Sequence, residues 1–401
     1  MELRVPLLLK KSKIKMTYFQ YGSLNSVDVL ARLALVNGYY QANAPANATN
    51  NDWTGGVYMV GNLAHYTASG NASLLSYATT WGEAHAWKLT GYRNCHGALG
   101  CPDNIIAGFS YATLENLTAG GNFTAALNAA ADTAMANGVC AVATNASLAK
   151  SSDDCWWWAD ALYMALPTYA YLGTTAHDRG DVKRAEAIWD FARSMYNVTA
   201  FGVNASGARA FDLWSPDASL FWRDVSYVTK HAANGKPVFW SRANGWAFAA
   251  FARTLEALPD SADVRAADRA EWEGKMRLMA TKLVTLQGAD GCWRSQLEDA
   301  AQFPQIETSG TSLILYGLAY GVNAGVFGSE SDVFEQAALK AWKCMNAPSP
   351  QGAVLAEGRI GWCQPGGAGP NGNFGFNSTD DYCVGAFLLG GSELVKLLRS
   401  A

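Results

Sequence analysis

Asp160 is the only charged residue in the stretch Trp156–Gly173, WWWADALYMALPTYAYLG. A carboxyl group set among tryptophans and aliphatic side chains is partly desolvated, and desolvation raises its pKa. A carboxylic acid that keeps its proton near neutral pH can donate it to a substrate, as a general acid must. The competing reading is a buried aspartate that only ties helix ends together. Other clusters carry flat or polar side chains suited to a ligand. Trp240, Arg242, Asn244 and Trp246 lie close together, Glu307, Thr308 and Ser309 are consecutive, Asp380 and Asp381 are adjacent, and Trp53 and Asp103 stand alone. Indole faces stack on sugar rings, and a guanidinium receives carboxylates. Asp, Ser and Thr are also ordinary helix N-caps, and Trp is common in cores.

The elements that must position these residues read as helices. Hydrophobic periodicity and Gly/Pro/Asn punctuation predict twelve segments, with almost no alternating strand pattern. They are Val27–Tyr40, Gly56–Thr67, Ser73–Leu89, Asp103–Leu117, Phe123–Asn137, Trp156–Gly173, Asp181–Tyr196, Ser241–Leu258, Ala266–Leu286, Gly310–Ala324, Val333–Met345 and Tyr382–Leu398. Odd segments such as Asp181–Tyr196 are amphipathic, whereas even ones such as Gly310–Ala324 are apolar all round and need burial on every side. Six buried helices inside six amphipathic ones make an all-α (α/α)6 barrel, with a helical repeat solenoid as the alternative. In such a barrel the inner helices run the same way. Their N-termini open at one end, and Trp53, Asp103, Trp158, Asp160, Trp240, Arg242, Glu307 to Ser309, Asp380 and Asp381 all fall there. Six helix N-termini together with Arg242 suit an anionic ligand such as a uronate carboxylate.

Composition narrows the class. Of 401 residues, 50% are hydrophobic and 16% charged, against roughly 25% charged in an average soluble domain, so a large core is available. The 15 Trp and 17 Tyr exceed what packing usually needs. A net charge of −4 with no basic stripe excludes nucleic acid as a partner. No apolar run reaches the ~18 residues of a membrane span. No Cys-x-x-Cys pair exists and the five His lack metal-site spacing, so neither a metal nor another cofactor is expected. Eight cysteines and eight Asn-x-Ser/Thr sequons, at Asn47, Asn71, Asn116, Asn122, Asn145, Asn197, Asn204 and Asn377, point to a secreted, glycosylated, disulfide-bonded protein. Cys95 and Cys101 are placed to close a short loop. The apolar run Val5–Leu9 is too short for a signal core and is followed by Lys10, Lys11, Lys13 and Lys15. Residues 1–24 therefore read as an extension, a remnant or misassigned targeting segment, and residues 25–401 as one catalytic domain. Oligomeric state is left open.

Four motifs in order, WADALYM from Trp158, FWSRANGW from Phe239, ETSGT from Glu307 and VGAFLLGGSE from Val384, carry a resemblance. The chain resembles glycoside hydrolase family 105, the unsaturated rhamnogalacturonyl hydrolases, with the unsaturated glucuronyl hydrolases of family 88 as relatives. The resemblance implies an (α/α)6 barrel that releases a 4,5-unsaturated uronic acid from the non-reducing end of lyase-generated oligosaccharides. It implies that Asp160 protonates C4 of the sugar's vinyl ether and then takes a proton from the water that adds at C5. Asp103 would hold sugar hydroxyls, Trp158, Trp240 and Trp246 would stack on the ring, and Arg242 would bind polar or anionic groups. Trp53, Asn244, Thr308 and Ser309 complete the expected substrate-binding set. One alternative is an inverting glycosidase acting on saturated sugars, with Asp160 as acid and Glu307 or Asp103 activating water across roughly 6.5–9.5 Å. The other is a non-catalytic glycan-binding protein.

Overall fold

A computed structural model describes residues 24–90, 101–118, 121–137, 156–202, 212–367 and 369–400. The N-terminal extension, up to its last residue, and Cys95 lie outside them. The first seven helices are α1 (Ser26–Asn43), α2 (Trp53–Ser69), α3 (Ala72–Ala84), α4 (Pro102–Thr118), α5 (Ala125–Asn137), α6 (Asp160–Asp178) and α7 (Val182–Phe201). A two-stranded hairpin, β1 (Trp214–Ser215) and β2 (Leu220–Phe221), and the one-turn helix α8 (Val225–Val228) follow. The chain ends with α9 (Ser241–Ala257), α10 (Ala266–Thr285), α11 (Thr308–Asn323), α12 (Ser331–Met345) and α13 (Asp381–Ser400).

The inner helices close a ring: α2 packs on α4, α4 on α6, α6 on α9, α9 on α11, α11 on α13, and α13 back on α2. That last contact separates a barrel from a solenoid, whose repeats touch only their neighbours. The ring helices are the uncharged ones because they have no wet face. Every residue of α11 from Thr308 to Ala319 is buried. The outer helices pay for their exposure with charge, as where Arg265 at the head of α10 pairs with Glu186 and Asp190 of α7. The α2–α13 seam closes backbone to backbone. A Cβ on Gly61 would lie 2.1 Å from the Gly385 carbonyl oxygen, so only glycine permits the approach.

All twelve predicted segments are helical, and their ends differ for local reasons. The third stops at Ala84 instead of running to Leu89, because Ala86 and Trp87 adopt left-handed φ values of 50° and 57°. There the Trp87 ring stacks 3.7 Å from that of Phe123. The sixth helix starts at Asp160, not Trp156. Trp156 has φ of 57°, and Trp158 forms an isolated antiparallel bridge with Asp224. Two disulfides pin loops to helices: Cys292 to Cys344 of α12, and Cys363 to Cys383 of α13. Cys101 is disulfide-bonded as well.

Candidate active site

The segment that enters α6 is anchored before Asp160 is reached. Ala159 donates its backbone N–H to the Arg223 carbonyl at 2.8 Å, beside the Trp158–Asp224 bridge. Asp160 is 9% exposed, and its Oδ1 is buried without a hydrogen-bond partner. Its Oδ2 lies 3.9 Å from Nε of Arg223. Burial pushes the carboxyl above its ordinary range, Arg223 and then Arg242 pull it back, and Asp224 pushes it up again. Arg223 itself donates to Asp224 Oδ2 at 2.7 Å, and its guanidinium carbon lies 5.1 Å from the centre of the Trp157 ring.

The N-termini of α2, α9 and α13 meet around Tyr382. Arg242 is sandwiched, 4.3 Å from the Trp240 ring and 5.0 Å from that of Tyr382. Its donors go to the carbonyls of Gln364 at 2.5 Å and Pro365 at 3.0 Å and to the Tyr382 hydroxyl at 3.3 Å. Trp240 Nε1 donates to the Gln364 side chain at 3.2 Å. The Cys363–Cys383 disulfide brackets this knot, since Gln364 and Tyr382 are the neighbours of its two cysteines. The half-buried Trp53 stacks on Tyr382 at 4.8 Å, and Thr54 donates to Asp381 at 3.3 Å. Burial, with the adjacent Asp381, pushes the Asp380 carboxyl up to about 6. Asp160 joins this group through the field of Arg242. The sequence thus brings Trp53, Asp160, Trp240, Arg242, Asp380 and Asp381 to one end of the ring. Asp103 lies buried in the first turn of α4, and Trp158 is buried beside Trp157.

Four of the expected substrate contacts have partners within the protein. Asn244 gives its amide to the carbonyls of Phe221 and Trp240, at 3.0 Å each, and accepts from Phe221 N at 2.7 Å. Thr308 donates to the Gly361 carbonyl at 2.7 Å, and Ser309 to Glu307 Oε1 at 2.6 Å. Trp246 packs against Tyr163 inside the ring, with centroids 4.5 Å apart. All four are buried; Asn244 and Thr308 hold main chain around the mouth, where helix starts and loops leave backbone groups that need partners, and Ser309 holds the capping carboxylate of Glu307. Glu307 is fully buried and caps α11, with Oε1 accepting from Ser309 N at 3.0 Å and Oε2 from Gly310 N at 2.7 Å. The Glu307 oxygens are thus taken up by donors of the first turn of α11. Sequence reading passed over Arg223, Asp224, Gln364 and Tyr382. The first three lie in stretches without helical period, and the only signal for Arg223-Asp224 was a charged pair inside an aromatic run. Among the described residues no group of three or more His, Cys, Asp or Glu is arranged to hold a metal ion.

The Glycosyl Hydrolase Family 88 model matches residues 34–398. The chain belongs to glycosyl hydrolase family 88. It is therefore a glycosidase. An unsaturated 3S-rhamnoglycuronyl hydrolase from Formosa agariphila is 27% identical over 406 residues, which cover 97% of this chain and 96% of that protein. A solved family 88 glycosyl hydrolase from Bacteroides vulgatus superposes with a TM-score of 0.77 at 28% identity, covering 93% of this chain and 100% of the other. A second solved structure, described as a polysaccharide lyase, gives a TM-score of 0.75 at 29% identity over 94% of this chain and 99% of its own. Within this family 88 chain the matched span runs from α1 into α13, so it takes in all six inner helices.

Proposed function

We propose that this family 88 glycosidase removes a 4,5-unsaturated uronic acid from the non-reducing end of lyase-generated oligosaccharides, with Asp160 as both acid and base. One observation carries the reading. Asp160 is a buried carboxyl at the N-terminal mouth of the ring, with one oxygen unpartnered and its proton affinity raised by burial. The full-length likeness to an unsaturated 3S-rhamnoglycuronyl hydrolase supports the substrate class. The substrate's C4=C5 bond is conjugated to its carboxylate and joined to the ring oxygen. Asp160 gives its proton to C4, and positive charge develops at C5 and the ring oxygen. Water then adds at C5 while the Asp160 carboxylate takes the water's proton. The resulting hemiketal opens to a C5 ketone, and C1, left as a hemiacetal, releases the rest of the chain as an alcohol. One carboxyl serves both transfers, so no second carboxylate at a fixed distance is required.

The test is incubation with a panel of lyase products, including unsaturated uronate joined to rhamnose and to sulfated rhamnose, while the ultraviolet absorbance of the conjugated bond is followed. Loss of absorbance is the expected result. Unchanged absorbance across the panel overturns the reading, and a gain on saturated polysaccharide favours the lyase chemistry named for the second structural relative. The disulfides and the exposed sequon at Asn47 support a site of action outside the reducing cytosol. Mass spectrometry of protein secreted by a eukaryotic host should find glycan on Asn47, and unmodified protein with free thiols would contradict this.

A further inference from the structure

Arg223 and Asp160 stand near enough to feel each other's charge and too far apart to share a hydrogen bond. Nε and Oδ2 are 3.9 Å apart, against about 2.7–2.9 Å for a charge-assisted bond. Arg223 Nε and Asp160 Oδ1 are both buried with no other partner. What keeps the guanidinium at this distance lies on its other side. Asp224 holds Nη1 at 2.7 Å, and Asp224 is itself fixed as the cap of α8, accepting from Ser226 N at 2.8 Å. The main chain sets the frame, through the Ala159–Arg223 hydrogen bond and the Trp158–Asp224 bridge.

A group that gives a proton and then takes one back is poorly served by either extreme. A closed bond to a guanidinium would keep it ionised, and an apolar pocket alone would keep it protonated. We propose that Arg223, tethered by Asp224, is a positioning residue for Asp160: it lends positive charge without closing the bond, and Asp224 sets the distance. The proposal rests on Asp160 being the acid. The other cation acting on Asp160 is Arg242 from α9; the neighbouring inner helix α4 carries Asp103 in its first turn, and α7 directs Arg193 to Asp268 and Glu271 of α10.

The test is the pH profile of kcat/KM for Arg223→Gln, Arg223→Lys and Asp224→Asn on an unsaturated disaccharide that the wild type turns over. Asp160 acts protonated, so activity falls as pH rises through its pKa. Removing the cation in Arg223→Gln favours the neutral carboxyl and moves this alkaline limb up by about 1 pH unit. Arg223→Lys keeps the charge and leaves the limb near its wild-type position. Asp224→Asn removes a negative neighbour and frees the guanidinium to close on Asp160, which moves the limb down by about 1 unit. Opposite shifts are the expected signature, and a merely structural role would not produce them. Limbs that stay in place, or move together, overturn the proposal. Thermal melts identify a variant that has not folded. Should Arg223→Gln be one, Asp224→Asn decides alone, because its amide oxygen can still cap α8 and its limb must fall. Asp160→Asn separates the two claims: dead protein with unmoved limbs in the other variants sinks only the positioning role, and full turnover sinks the acid itself.

Discussion

Glu307 and Asp160 are two of the carboxyl groups at the starts of inner helices of this ring, and both are buried. Glu307 spends its oxygens on Ser309 N, Gly310 N and the Ser309 hydroxyl. Asp160, at the start of α6, keeps Oδ1 unpartnered and faces Arg223 across 3.9 Å. Burial alone therefore does not mark a reacting group. A carboxylate whose lone pairs are filled by first-turn donors closes a helix end, whereas one buried with an oxygen unpartnered has its proton affinity raised and is suited to pass a proton on. The difference arises from sequence. Glu307 sits one residue before its helix, where N–H groups of the first turn point at it, while Asp160 is already the first helical residue behind an unhelpful Ala159 cap.

Variants can break or sharpen this contrast. Asp160→Asn keeps shape and removes the transferable proton, so turnover of an unsaturated disaccharide should fall ~10²–10⁴-fold while the thermal melt hardly moves. A stopped assay and a melt on the same sample check both halves. The double variant Cys363→Ser with Cys383→Ser frees the segment that carries Gln364, the acceptor for Arg242 and Trp240. Losing a disulfide across a separation of 20 residues should cost about 3 kcal/mol in a denaturant titration. KM should rise as the mouth loosens. Glu307→Gln turns one accepting oxygen into a donor that faces backbone N–H, at a cost of about 1–3 kcal/mol. Its activity per folded molecule should be nearly normal; a loss as deep as that of Asp160→Asn would erase the contrast. Asp380→Asn tests a carboxyl that burial disfavours. A folded pKa of about 6 against an ordinary value of 3.8 means the native state gains from protonation. That gain is full below about pH 4 and is lost as pH rises through 6. The variant should thus be more stable at pH 7 by up to about 3 kcal/mol and hardly more stable at pH 4, which melts at the two pH values would read.

The ring was legible because burial on all sides leaves a compositional mark. Helices such as α11 carry no charge, and helices such as α7 carry charge on one face, so inner and outer were assigned without coordinates. The mouth was legible for the same reason: polar residues at the start of apolar helices stand out. What those residues do there was less legible. Thr308, Ser309 and Asn244 had the right chemistry for a sugar, yet helix starts and loops also need hydrogen-bond partners, and composition does not tell one demand from the other. Arg223 and Gln364 reach the site from irregular segments, where no period reports which way a side chain faces. Their pairing with Asp160 and Arg242 is a product of closure of the ring.

The most direct test of the central claim is turnover of an unsaturated disaccharide in heavy-oxygen water, with the products read by mass spectrometry. Addition of water at C5 predicts that the label enters the carbonyl formed at C5 of the uronate, and that Asp160→Asn forms no labelled product. Label found only at C1, or equal turnover of the saturated disaccharide, would mean ordinary glycoside hydrolysis and would contradict the account even if Asp160 proved essential.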